Sequence, residues 1–176
     1  AELFRSNYYK ELIKKDLKKA LSLQYKAQHH EELNWDNPQT LDAKIMWLEV
    51  ITDTSIWSEL TDKYNVRKYI EQKGYADNLP NCYGVWDRVE DIDYTTLPDK
   101  FVIKCTHDSG STFIIKNKAK SNLEKINNEL RKKLEPMGIA TCEPHYLKIK
   151  PRIIAEELLE DFEDTKWSTS LIDYKI

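Results

Sequence analysis

The sequence contains little glycine and proline. Four glycines and six prolines occur in 176 residues, about half of the roughly 12% share of these residues in soluble proteins. This composition favours a helix-rich fold with few tight turns. No apolar run approaches the roughly 18 to 20 residues that cross a bilayer. We therefore expect no membrane span, and a cytoplasmic protein.

Cysteine and net charge exclude further classes. The three cysteines, Cys82, Cys105 and Cys142, are widely spaced, which fits neither a disulfide framework nor a cysteine-ligated zinc site. The 27 Lys and Arg nearly balance the 30 Asp and Glu, for a formal net charge of −3. Without a strongly basic surface, nucleic acid is not an expected partner.

The first part of the chain has helical periodicity. Apolar residues recur at helical spacing over residues 9–21, which predicts one amphipathic helix. Thr40 is placed to cap a second helix, in which we expect Trp47 to reach the core. A third helical stretch, in one or two pieces, is predicted over residues 56–73 and ends at Gly74, the residue type that closes helices in a left-handed conformation.

Short apolar runs predict strands in the second part of the chain. In order, the predicted strands cover 82–86, 101–105, 112–116, part of 152–159, and the start of a last strand at 171–176. The runs 101–105 and 112–116 are expected to form a hairpin with a polar tip. Ser121 and Glu124 have the spacing of a capping box, which opens a helix to about Leu134 that Pro136 and Gly138 would end.

These elements predict an α+β fold in two parts. Residues 1–99 would be a mainly helical region with a short strand and a linker. Residues 100–176 would form a small antiparallel sheet with one helix.

Lys104 is the most suggestive residue, since it lies in the middle of an apolar strand. A buried ammonium needs an anion or a route to water. The hairpin tip next to it offers backbone N–H groups at Gly110 and the hydroxyls of Ser109, Ser111 and Thr112, which together could hold phosphate oxygens. The alternative is that Lys104 guards a sheet edge and the tip is an ordinary turn.

Several segments, in their order along the chain, resemble the TupA-like ATP-grasp family. They are NPQT at 37–40, KIMWL at 44–48, TDKYNVRKY at 61–69, GVWD at 84–87, FVIKC at 101–105, HDSG at 107–110 and KPRIIAEE at 150–157. The resemblance covers roughly residues 37–176. Members of that family occur among bacterial surface-polysaccharide and teichuronopeptide biosynthesis proteins, and some carry a glycosyltransferase label.

The resemblance implies an ATP site between two α+β subdomains, where ATP activates a carboxylate as an acyl phosphate. Lys104 would contact the phosphates, residues 107–112 would be the flexible loop that covers them, and Lys63 would be a second lysine that reaches the nucleotide. Residues 156–159 would be the hinge that reads adenine. The implied site residues are Lys63, Lys104, His107, Ser109, Gly110, Ser111, Glu156, Glu157 and Leu159.

The sequence departs from the family pattern in two ways. Asp108 stands where the phosphate loop usually has its first glycine, which adds a negative charge and a stiffer backbone. The acidic or amide ligands of Mg²⁺ are expected on later strands, past Ile176. The chain is thus interpreted as the front portion of an ATP-grasp ligase, inactive alone, whose exposed apolar surface would favour self-association.

Two other functions remain open. One is a glycosyltransferase, for which Asp91-Ile92-Asp93 is the only literal match to an Asp-x-Asp metal motif. The other is a non-catalytic binding or assembly module that keeps the fold. The sequence leaves the acceptor, a carboxylate or a sugar, unidentified.

Overall fold

The computed structural model describes residues 6–134 and 143–160, and these have the predicted α+β fold. The helices in this part of the chain are α1 (Asn7–Lys15), α2 (Leu17–His29), α3 (Leu41–Ile51), α4 (Ser55–Thr61), α5 (Asn65–Gln72) and α6 (Leu123–Lys133). The strands are β1 (Cys82–Trp86), β2 (Phe101–Cys105), β3 (Phe113–Ile115) and β4 (Ile153–Glu156). The predictions on Pro136, Gly138, Cys142 and 171–176 lie outside the described residues.

The prediction of one helix over residues 9–21 is wrong, because the helix is interrupted at Asp16 and the segment forms two helices, α1 and α2. Asp16 leaves the helical region (φ −150°), and its carboxylate accepts a hydrogen bond from the Lys19 N–H. Aspartate favours the N-cap over the helix interior, so α2 begins here. α1 packs back on α2, where the buried Tyr9 hydroxyl donates to the Ala20 carbonyl at 3.1 Å.

The predicted helix ends at Thr40 and Gly74 are confirmed. The Thr40 hydroxyl accepts from the Ala43 N–H, and Gly74 has a φ of +83° just after α5. Trp47 is partly buried, and its contact with the core stays a prediction. Ala43 and Met46 fill the core face of α3, and Val50 packs against it.

The four strands form one antiparallel sheet in the order β1-β4-β2-β3. β1 lies in the predicted first region, residues 1–99, but it pairs with β4 of the predicted second region. The two predicted regions therefore share one sheet. The boundary at residue 99 stays a prediction. One face of the sheet packs Phe101, Ile103 and Ile153 against α6.

The predicted capping box at Ser121 is wrong by one residue. Asn122 is the N-cap of α6, and its side chain accepts from the Lys125 N–H at 2.9 Å. Asn and Ser are similarly strong caps, so adjacent candidates cannot be separated by residue type.

Two surface properties bear on the predicted environment. Within the part of the chain that the structure describes, no helix has both the length and the apolar character needed to cross a membrane. α3 exposes Leu41, Ile45 and Ile51 to solvent. Self-association through such side chains stays a prediction.

Candidate functional site

The register of β2 against β4 places Lys104 beside Glu156. Lys104 pairs with Ile154 and Val102 with Glu156, so the lysine and the glutamate are diagonal neighbours on one face of the sheet. Lys104 Nζ lies 2.5 Å from Glu156 Oε2. β2 is an interior strand, and the alternative that Lys104 guards an edge is therefore wrong.

Arg67 brings a second cation to the same carboxylate. Its Nη1 donates to Glu156 Oε1 at 3.0 Å, and its Nη2 donates to the Pro80 carbonyl at 2.7 Å. The Glu156 side chain is only 9% exposed. One buried carboxylate thus contacts two cations, one from α5 and one from β2. The two positive charges exceed the single negative charge of Glu156.

Asp62 and Arg152 form a second buried ion pair at the start of α5. Asp62 is fully buried, and its Oδ2 accepts from Arg152 Nη2 at 2.7 Å. Its Oδ1 accepts from the Tyr64 and Asn65 N–H groups, which are donors that the start of a helix leaves without helical partners. The Arg152 guanidinium lies 4.7 Å from the centre of the Tyr64 ring. This pair fixes the α5 N-terminus against the segment before β4.

Lys63 follows Asp62 and joins α5 to the loop after β2. Its N–H donates to the Thr106 carbonyl at 3.0 Å, and its ammonium donates to the Asp108 carbonyl. Burial lowers the pKa of Lys63; the Asp108 charge opposes this shift, and nearby Lys104 adds to it. The Lys104 charge thus acts on the Lys63 ammonium, and an anion bound near both lysines would oppose that effect.

The loop between β2 and β3 is buried at both ends and exposed at its apex. His107 and Ser111 are almost inaccessible to solvent. The Ser111 hydroxyl accepts from the Cys105 N–H at 2.9 Å and donates to the Asp108 carboxylate. Ser109 and Gly110 are exposed, and Gly110 has a φ of +96°, a conformation that suits glycine. A phosphate role for His107 and Ser111 stays a prediction that requires this loop to rearrange.

Three buried polar atoms next to this cluster have no hydrogen-bond partner among the described residues. They are Thr106 Oγ1, Asp108 Oδ2 and Arg152 Nε. Two of them, the hydroxyl and the guanidinium nitrogen, can donate to an anion. Since buried polar atoms normally have partners, these two donors fit a phosphate-bearing ligand, whereas the Asp108 carboxylate oxygen opposes it.

The predicted hinge begins where β4 ends. The Glu157 N–H donates to the Asn81 carbonyl at 2.8 Å, and its Oε2 accepts from the Asn81 side chain at 2.8 Å. Leu159 is half exposed. The structure thus brings Lys63, Lys104 and Glu156 together and places Glu157 and Leu159 beyond the strand end, where their adenine contacts stay a prediction.

Arg67, Arg152 and Asp62 were not assigned roles from the sequence. Arg67 and Glu156 are 89 residues apart, and Arg152 and Asp62 are 90 apart. The only local signal was an arginine in each of two family-like segments, 61–69 and 150–157, with no indication of its partner.

The alternative metal motif has other partners in this structure. Asp91 accepts two hydrogen bonds from the Arg88 guanidinium, and Asp93 caps the turn that begins at Tyr94. Over residues 6–134 and 143–160, no group of three or more His, Cys, Asp or Glu side chains is arranged to hold a metal ion.

Comparison with known proteins gives a family match. Residues 43–176 match the family model described as TupA-like ATPgrasp. The searches of curated proteins and of solved structures gave no match.

Proposed function

The chain belongs to the TupA-like ATP-grasp family, and from this premise we propose that the cluster around Lys63 and Lys104 binds the phosphates of ATP. The observation that carries this proposal is the pair of neighbouring ammonium groups, one of them half-buried with a lowered pKa. Polyphosphate would compensate both charges. Thr106 and Arg152 add donors that lack partners among the described residues.

Each group in the cluster has a separate part in this proposal. Glu156 and Arg67 hold Lys104 in place before ligand arrives, which is the preorganisation that electrostatic binding needs. The exposed Ser109–Gly110 apex offers backbone N–H groups to the phosphates. Leu159 and the strand end at Glu157 would line the adenine slot, since a flat base needs apolar contact and a few directed polar groups.

The reaction we propose is ATP-dependent ligation in bacterial surface-polysaccharide biosynthesis. A substrate carboxylate oxygen attacks the γ-phosphorus, the bond to the β,γ-bridging oxygen breaks and ADP leaves; a nucleophile then displaces inorganic phosphate from the acyl phosphate and loses a proton. Mg²⁺ bound to ATP would compensate phosphate charge. Lys63 and Lys104 would keep the polyphosphate in place.

Calorimetric titration with Mg·ATP tests the phosphate site. We expect Lys104→Ala to weaken ATP binding at least ~10-fold, equivalent to about 1.4 kcal/mol. Lys116→Ala is the matched control, because Lys116 is exposed just past β3 on the same hairpin, and it should bind ATP as the unmodified chain does. Tripolyphosphate should compete with ATP, whereas adenosine should bind Lys104→Ala and the unmodified chain equally.

Two results would contradict the proposal. One is equal ATP affinity in Lys104→Ala and Lys116→Ala. The other is the absence of saturable ATP binding by the unmodified chain. A saturable response to nucleotide-sugars, with none to ATP, would favour the glycosyltransferase alternative instead.

A further inference from the structure

A cleft lies between α2, α3 and the residue before the 3-10 turn Pro144–Lys148. Its volume is about 310 Å³, within the range of small-molecule pockets. Glu49 of α3 and Glu143 line it together with the amides of Gln24 and Gln28. None of these residues belongs to the Lys104 cluster.

Glu49 is a buried acid that lacks a counter-charge. Its exposed fraction is 8%, and no side chain or N–H in the described part of the protein bonds its carboxylate. Burial, and then the negative charge of Glu143, raise the pKa of Glu49 to about 7. An unpaired buried acid is costly to the fold, so its position in a cleft indicates that a ligand supplies the missing partner.

The second carboxylate is also available. Glu143 precedes the 3-10 turn without capping it, and its charge acts on Glu49. The third acid, Asp42, already has a hydrogen-bond partner, since its Oδ2 lies 3.0 Å from His29 Nε2. The cleft therefore offers two acids that have no cationic partner among residues 6–134 and 143–160.

The chemistry of the lining favours an organic cation over a metal ion. Across residues 6–134 and 143–160, no cluster of three or more metal-ligating side chains is present. A primary ammonium has three donors, which two carboxylates and one amide oxygen of Gln24 or Gln28 can accept. Ile45 and Met46 supply an apolar wall for the carbon skeleton next to the amine.

We propose that this cleft binds a small molecule through a protonated primary amine, with Glu49 as its anchor and Glu143 as its second acceptor. This inference does not rest on the proposed ATP site. An organic amine of up to roughly monosaccharide size fits the volume.

Met46 provides the probe for this proposal. The chain has two methionines, Met46 and Met137, so a spectrum of the full chain with ¹³C-methyl methionine holds two signals, and Met46→Leu assigns them. Butylamine and butanol, titrated at pH 8, form a matched pair because only butylamine carries a positive charge there. We expect a saturable shift of the Met46 signal with butylamine and none with butanol.

Substitutions then identify the anchor. Glu49→Gln keeps the size of the side chain and removes its charge, and we expect at least ~10-fold weaker butylamine binding. Glu143→Gln should weaken binding less, because Glu143 is less buried. Glu59→Gln, the same change at an exposed position of α4, should leave binding unchanged. The Met46 signal without ligand reports whether each variant is folded.

Three outcomes would overturn the proposal. Butylamine could give no saturable shift up to about 50 mM. It could bind Glu49→Gln and the unmodified chain equally, or butanol could give the same shift as butylamine. A saturable Met46 shift with MgCl₂ that is lost in Glu49→Gln, without any response to butylamine, would replace the amine site by a metal site.

Discussion

The ion pair between Asp62 and Arg152 gives the most direct test of how the candidate site is held together. Asp62 is fully buried, while the Arg152 side chain is 16% exposed. Asp62→Ala removes the ion pair and both hydrogen bonds to the N–H groups at the start of α5. Asp62→Asn removes the charge but keeps one side-chain oxygen as an acceptor for those groups.

The expected loss of stability follows from these contacts. Removing one partner of a buried ion pair costs about 3–5 kcal/mol, and losing a helix cap costs about 1 kcal/mol. Since Arg152 can still reach solvent, we take the lower values and expect Asp62→Ala to lose about 3–4 kcal/mol. Asp62→Asn should lose about 2–3 kcal/mol, because the charge is lost but the cap survives.

Urea unfolding, followed by tryptophan fluorescence, measures both variants. Asp91→Ala is the control, because it removes an Asp–Arg pair that is exposed on both sides and should cost less than about 1 kcal/mol. If Asp62→Ala loses no more stability than Asp91→Ala, the ion pair does not fix the α5 N-terminus against the segment before β4.

Three further predictions concern other parts of the molecule. The raised pKa of Glu49, from 4.5 to about 7, means that the folded state keeps a proton that the unfolded state has lost; stability should fall by about 3 kcal/mol between pH 4.5 and 8, and urea unfolding of Glu49→Gln should lack this fall. At Gly84 an added Cβ would clash with the Trp86 ring, so Gly84→Ala should lose about 1–3 kcal/mol in thermal unfolding and change the near-UV circular dichroism; an unchanged spectrum would contradict this. Burial raises the pKa of the Cys105 thiol to about 11, so iodoacetamide should alkylate exposed Cys82 first and Cys105 only on unfolding, as mass spectrometry of the native protein can check.

Those parts of the fold that depend on neighbouring residues could be predicted from the sequence. Thr40 and Gly74 act through bonds and backbone angles within a few residues of themselves, so their residue types identify helix ends. Asp16 is also a local cap, but the apolar periodicity continues across it into α2 and conceals the break. A periodic pattern reports which face is buried; it does not report whether the helix is continuous.

The candidate site depends on contacts that the sequence does not encode locally. Lys104 could be identified because an ammonium in an apolar strand needs an anion. Its partner Glu156 follows only from the pairing of β2 with β4, and the sequence alone does not fix that register. The burial of Ser111 could not be predicted either, because its hydroxyl is used by Cys105 and Asp108 once the loop folds inward.

The ion pairs also explain how Lys104 could hold phosphate although Glu156 already neutralises it. Glu156 contacts both Lys104 and Arg67, so phosphate that takes over Lys104 would leave the carboxylate paired with Arg67, and no buried acid would lose its last cation. Lys63 differs, because its ammonium donates to a carbonyl rather than to a carboxylate. An incoming polyphosphate would therefore replace a carboxylate at Lys104 but a neutral carbonyl at Lys63, so the Lys63 contact should gain more from the new charge, although the Asp108 charge already acts there.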